Sequence, residues 1–244
     1  MVITPSGADD RPTMHVLPEP MLDLAHVRVR SGPHKPELLA DEFFMLAHDD
    51  QSGRPRLPHS SITFGLAAAL LAELGSARWI HFERGDLTIL DRRAPDDWLQ
   101  HQVLAQLIAS PQHTATRTWL AYLAATSYDL VAKRLLQAGM VRPVPYRRMF
   151  KTVTVYEPTD MNVAAWSWAR LVGSLRDLEP LDTFDLALAG IAREVRLDQW
   201  ILQGTSHAST AYLRQLLAEA PPPMRDLLAA LNAAIGNAVM SHRT

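Results

Sequence analysis

Apolar positions recur at helical spacing along most of the chain from Glu37 onward. "PELLADEFFMLAHDD" places Leu38, Leu39, Phe43, Leu46 and Ala47 on one broad stripe, and Pro36 suits a first helical turn. "DDQSGRP" then switches to turn chemistry, so this helix is expected to stop near Asp49. A second helix is expected from about Ser60, with Ser60 or Ser61 as its N-cap. Its run "ITFGLAAALLAEL" is apolar nearly all round, which predicts a central, buried helix.

Two stretches break the helical period. In "RWIHFERGDLTILD", Ile80 and Phe82 alternate, Gly85 supplies a turn, and Leu87 and Ile89 follow, which reads as a small β-hairpin. In "VRPVPYRRMFKTVTVYEPTD", Val153 and Val155 alternate with Thr152 and Thr154 between flanking prolines, which reads as a second hairpin. Between them, "DDWLQHQVLAQLIAS" reads as a helix capped by Asp96 or Asp97. "TRTWLAYLAATSYDLVAKRLLQAGMV" reads as a long amphipathic helix with Leu120, Leu123, Leu130, Val131 and Leu135 inside and Gly139 as its stop. From about Asn162 further helices are expected, separated near Gly173, Pro180, Gly204 and Pro221 to Pro223. There is no sequence repeat and no parallel β/α alternation, so the predicted class is mostly α with one or two small β-hairpins. Residues 1–36, with Pro5, Pro12, Pro18, Pro20, Pro33 and Pro36 and little periodicity, are expected to form a flexible Pro-rich tail, and residues 37–244 a single domain.

Composition narrows the function. A chain of 244 residues that is 48% hydrophobic can bury a sizeable core. Its formal net charge of -2 argues against nucleic acid as a partner, and any affinity for phosphate must come from a local basic patch. With no cysteine, disulfides, Cys-based zinc sites and a thiolate nucleophile are excluded. No secretory leader is expected, since the first residues lack a continuous apolar core after a basic start, and no apolar run approaches the roughly 20 residues of a membrane span. The expectation is therefore a cytoplasmic chain whose membrane contact, at the inner face, is peripheral.

Candidates for catalysis are weak. His48, Asp49 and Asp50 are adjacent, whereas converging helical ligands sit three or four apart, so a solvated helix end is the favoured reading over a metal site. His207 in "GTSHAST" has hydroxyls nearby but no nucleophile elbow, so a capping loop is favoured over a hydrolase. No Gly-rich phosphate loop and no His-Glu-x-x-His pattern occurs, and neither cofactor nor metal is expected. The arginines carry more. Arg54 and Arg56 follow the first helix, while Arg142, Arg147 and Arg148 accompany Tyr146, Met149 and Phe150 in the second hairpin. Arginine suits phosphate and an aromatic body suits a lipid interface, although on the residues alone the favoured reading is that Met149 and Phe150 pack inward and the arginines are ordinary solubilising charge.

The ordered series "LLADEFFMLAHDDQSGRP", "FGLAAALLAEL", "RWIHF…GDLTILD", "LVAKRLLQAGMV" and a hairpin ending in "YEPTD" resembles the Golgi phosphoprotein 3 family, in the manner of a bacterial member, from about Glu37 to the C-terminus. The resemblance implies a central helical bundle surrounded by amphipathic helices, and a non-enzymatic adaptor. Eukaryotic members bind phosphatidylinositol 4-phosphate at membranes and hold glycosyltransferase tails there. The positions that contact the lipid phosphate in those members align with Pro58, Ala67, Ala125 and Tyr128, none of which supplies charge, so the resemblance does not carry that lipid selectivity to this chain. Family members use the hairpin at about 140–157 for membrane insertion and self-association. The resulting expectation is that anionic lipid headgroups meet Arg54, Arg56, Arg147 and Arg148 while Phe150 enters the interface, with protein tails as further partners. The rival reading is a self-associating scaffold built on the 140–157 hairpin.

Overall fold

The computed structural model describes residues 38–148 and 151–241. The expected tail at 1–36, and Met149 and Phe150 at the hairpin tip, lie outside the described residues. Ten helices and two separate two-stranded antiparallel sheets account for the described elements. The mostly α class with small hairpins is therefore correct.

The core is built on two helices. In α1 (Leu39–Ala47) all nine residues are buried, including Asp41 and Glu42. In α2 (His59–Ser76) every residue from Ile62 to Leu74 is buried, as its all-round apolar sequence predicts. The start of α2 differs from the expectation: its N-cap is Pro58, with no side-chain hydrogen bond, not Ser60 or Ser61. Proline's fixed φ lets the chain enter the helix two or three residues earlier than a serine cap would.

The first hairpin joins β1 (Ile80–Glu83) to β2 (Asp86–Ile89), with Glu83 opposite Asp86. Its two-residue turn, Arg84 at φ 53 and Gly85 at φ 86, has the doubly left-handed geometry that matches strand twist. Asp97 caps α3 (Trp98–Ala109) by accepting from the N–H groups of Leu99 and Gln100, so the second of the two proposed caps is correct.

The long helix expected next is two helices, α4 (Thr116–Ala124) and α5 (Ser127–Gln137). Ser127 explains the break. Its hydroxyl donates to the Thr63 carbonyl of α2 at 2.9 Å, a buried tertiary bond. Thr126, at φ -128, leaves helical geometry to allow it. Gly139, at φ 69, ends α5 as expected.

The second hairpin pairs β3 (Val141–Arg148) with β4 (Lys151–Pro158). Its register places Pro158 opposite Val141, Pro143 opposite Tyr156, and Pro145 opposite Thr154. Proline cannot donate, so all three fall in the non-hydrogen-bonded pairs, whose polar groups point away from the partner strand. The outer edge of β3 therefore lacks donors at residues 143 and 145.

The remaining helices are α6 (Met161–Arg176), α7 (Thr183–Glu194), the single turn α8 (Asp198–Ile201), α9 (His207–Ala218) and α10 (Pro222–Ser241). Gly173 does not separate helices as expected. It lies inside α6, because Leu171, Val172 and Leu175 around it are buried and the packing outweighs one glycine. The boundaries near Pro180, Gly204 and Pro221 are found where expected.

Two charged knots tie these layers. Arg134 of α5 donates to Asp41 of α1 at 2.8 Å, to Glu73 of α2 at 3.2 Å and to Asp97 of the α3 cap at 3.0 Å. Arg170 of α6 pairs with Glu42 of α1 and Asp185 of α7, and Ser167 donates to Glu42 at 2.9 Å. The adjacent carboxylates of α1 thus reach opposite ways, each to its own arginine. Burial is the largest influence on Asp41, whose carboxyl is pushed up to about 7 although Arg134 opposes the shift.

Candidate membrane-facing site at the first interhelical loop and the long hairpin

The loop from His48 to Pro58 folds back on the end of α1. The Asp49 N–H donates to the Arg54 carbonyl at 2.8 Å and the Gly53 N–H to the Asp49 carbonyl at 2.9 Å. The Asp49 side chain accepts from the Ser52 N–H at 2.9 Å and its hydroxyl at 2.7 Å. The backbone donor of Ser52 is the main reason this carboxyl lies below its ordinary range. Asp and Ser thus build the turn that the sequence anticipates.

Gly53 locks this loop to the hairpin. It is buried at φ 64, and a Cβ there would stand 2.2 Å from the Tyr156 carbonyl oxygen of β4. Only a residue without a side chain allows both the left-handed backbone and the close approach.

His48 is not a solvated helix end; it is 2% exposed. Its ring stacks on Phe44 at 4.2 Å. Nδ1 meets the Phe44 carbonyl at 2.7 Å and Nε2 meets the Tyr128 hydroxyl at 3.2 Å. Burial pushes its imidazole down to about 4, so it is neutral at pH 7. The reason for the correction is tertiary: α5 delivers Tyr128 across the end of α1. Tyr128 also lies 5.0 Å from the His59 ring and 6.2 Å from the Tyr156 ring. Burial raises its phenol to about 12. Asp49 and Asp50 do remain partly exposed.

The arginines divide by their partners. Arg56 donates through Nε to the His48 carbonyl at 2.8 Å and through a terminal nitrogen to Asp50 at 3.3 Å. Asp49 lies 3.6 Å from it, and its guanidinium sits 3.5 Å above the Trp200 ring. Arg56 is thereby held by the fold. Arg54 is exposed, with its guanidinium 4.4 Å above the Tyr146 ring of β3. Arg142 pairs with Glu157 across the hairpin at 2.9 Å. Arg147 is exposed opposite Thr152, and Arg148 ends β3 opposite Lys151. The loop and the hairpin are therefore brought together, through Arg54 on Tyr146 and Gly53 on Tyr156.

The four positions aligned with the family's phosphate contacts are equally instructive. Pro58 caps α2, Ala67 is fully buried, Ala125 caps α4, and Tyr128 is engaged with His48. In place of a cationic pocket, this corner holds an aromatic and imidazole cluster. Sequence reading missed that cluster and the Trp200 platform, because Tyr128 is 80 residues from His48 and no local spacing signals the pair. His207 begins α9 beside Ser206, whose hydroxyl accepts from the Ser209 N–H at 3.2 Å, which is the capping loop favoured from sequence. Among the described residues no group of three or more His, Asp or Glu is placed to hold a metal ion, and no helix is long and apolar enough to cross a membrane.

Comparison with curated proteins gives no match. The Golgi phosphoprotein 3 (GPP34) family model matches residues 39–231, a span that begins with α1 and ends within α10. Covering well over half of the 244 residues, that match establishes that the chain belongs to the Golgi phosphoprotein 3 family.

Proposed function

We propose that the protein is a non-enzymatic adaptor that docks peripherally on anionic membrane surfaces through the long hairpin and the loop beneath it. The observation that carries this reading is the joined loop and hairpin. Arg54 and Arg147 are exposed there with no carboxylate partner among the described residues, and Val153, opposite Tyr146, is exposed as well. Arg148 and Phe150 extend the same feature toward the tip in sequence. Arg56 supports the surface instead of meeting lipid, since Asp49, Asp50 and Trp200 already hold it.

Each arginine near an anionic surface contributes about 1 kcal/mol, so two or three give weak docking that salt screens. Selectivity for phosphatidylinositol 4-phosphate is not expected, because Pro58, Ala67, Ala125 and Tyr128 offer its phosphate no cation. The test is co-sedimentation of the full chain with vesicles of neutral lipid, phosphatidylglycerol or the phosphoinositide at matched charge, at low and near-physiological salt. Equal, salt-sensitive binding to both anionic vesicles is expected, lost in the double variant Arg54→Glu, Arg147→Glu. Binding that ignores the variant refutes the site. A preference for the phosphoinositide that survives physiological salt refutes the non-selective mode.

A second reading, self-association through the hairpin, is supported by its edges. Pro143 and Pro145 remove donors from the outer edge of β3, whereas the register directs the N–H groups of Thr152 and Thr154 outward from β4. Of this hairpin's two edges, β4 is the better equipped to accept another strand, at Thr152 and Thr154. Concentration-dependent sedimentation velocity, with Thr154→Pro as the blocking variant, distinguishes this reading from lipid docking.

A further inference from the structure

A half-open cavity of about 260 Å³ lies where the C-terminal end of α2, strand β1 and helices α7 and α10 meet, on elements that do not build the loop and hairpin site. Its floor is apolar, formed by Ile80, Phe82, Ile191 and Leu227, all buried. Its lining also includes Arg78, which is exposed and makes no ion pair with any described residue. Ser76 and Thr183 add hydroxyls. The nearby carboxylate of Asp182 is committed to capping α7, accepting from the Asp185 N–H at 2.8 Å.

Arg78 also occupies a backbone conformation that disfavours it. Its φ is 62, at the position after a helix where glycine is preferred. Its N–H donates to the Gly75 carbonyl at 3.0 Å, and the N–H of Trp79 donates to the Leu74 carbonyl at 3.0 Å. Both bonds are backbone bonds that glycine would make with less strain, so the cap does not require an arginine. The side chain is surplus to the turn and borders an apolar cavity.

We propose that this cavity binds a small amphipathic carboxylate, with a short apolar tail on the floor and the carboxylate paired with Arg78. The complementarity is twofold: apolar surface for the tail, and a planar guanidinium for bidentate recognition of the head. A half-open volume of about 260 Å³ suits one short chain. The occupant is a free monomeric amphiphile; the cavity is too small for the paired chains of a membrane lipid.

The test uses the full chain with octanoate as probe, and octanol, octylammonium and acetate as comparisons. Binding is followed by isothermal titration and by the methyl resonances of Met224 and Ile191, which line the cavity. Octanoate is expected to bind saturably with a low-millimolar or tighter Kd, octanol and octylammonium about tenfold more weakly, and acetate not at all. Arg78→Gly is expected to melt at or above the temperature of the parent, because it relieves the left-handed strain, yet to lose about tenfold in octanoate affinity with octanol unchanged. Ala187→Leu, which fills the floor, is expected to weaken both. Equal binding of octanoate and octylammonium, unchanged octanoate binding in Arg78→Gly, or no saturable shift of those methyls would each overturn the proposal. Vesicle docking by the hairpin is measured separately, and neither result decides the other.

Discussion

Replacing Arg134 by methionine tests the larger charged knot. Methionine keeps much of the volume but removes the charge that, among the described residues, balances Asp41, Glu73 and Asp97, whose side chains are 7%, 4% and 20% exposed. Glu73 would keep the Ala40 N–H at 2.8 Å and Gln100 at 3.1 Å, and Asp97 would keep its two capping N–H groups. Among the described residues Asp41 keeps nothing comparable, because Arg134 is its side chain's partner there. Breaking a buried pair from one side costs about 3–5 kcal/mol, which at roughly 2–4 °C for each kcal/mol lowers the Tm by about 6–20 °C. The penalty is expected to depend on pH. Asp41 already has a raised folded pKa, about 7, so its stabilising contribution is full below the unfolded value and is lost as pH rises through 7. Losing the guanidinium raises that pKa further and moves the loss to higher pH. The difference between variant and parent should therefore be greatest near pH 8 and shrink toward pH 5. Urea unfolding at both pH values measures it, and adding Asp41→Leu to the variant should recover part of the loss at pH 8. A penalty below about 1 kcal/mol at pH 8, or one that grows on acidification, would refute this account of the knot.

Gly53→Ala is expected to destabilise by about 1–3 kcal/mol or more, since it adds left-handed strain and a clash with the Tyr156 carbonyl; thermal melting measures the loss, and proteolysis at the hairpin measures its release from the loop. The neutral, buried His48 contributes stability that is full above pH 6.5 and is lost as pH falls through about 4, on the order of 3 kcal/mol; His48→Gln should flatten that part of the acid profile, and an unchanged profile would show that this ring is not the acid-sensitive group. Ala68→Arg places a charge with no partner at a fully buried position of α2 and is expected to cost several kcal/mol; soluble variant at parental yield and Tm would contradict the central placement of that helix.

Local chemistry determined much of this protein. The all-round apolar run of α2, the Asp97 cap, the turn at Gly85, the Gly139 stop and both hairpins follow from residue types and spacing, because each depends on neighbours close in sequence. The turn residues after α1 were legible for the same reason. Tertiary contact decided the rest. Ser127 divides one helical pattern into two because its hydroxyl finds the Thr63 carbonyl, and packing around Gly173 carries α6 past a residue that by itself signals a stop. His48 reads as solvated beside two aspartates, yet Tyr128 and Phe44 bury it. Arg54 and Arg56 look alike two positions apart; Asp49, Asp50 and Trp200 hold one of them, and the other lies open over Tyr146. Burial and pairing arise between elements far apart along the chain, so no pattern within a single element encodes which charge is free and which is part of the frame.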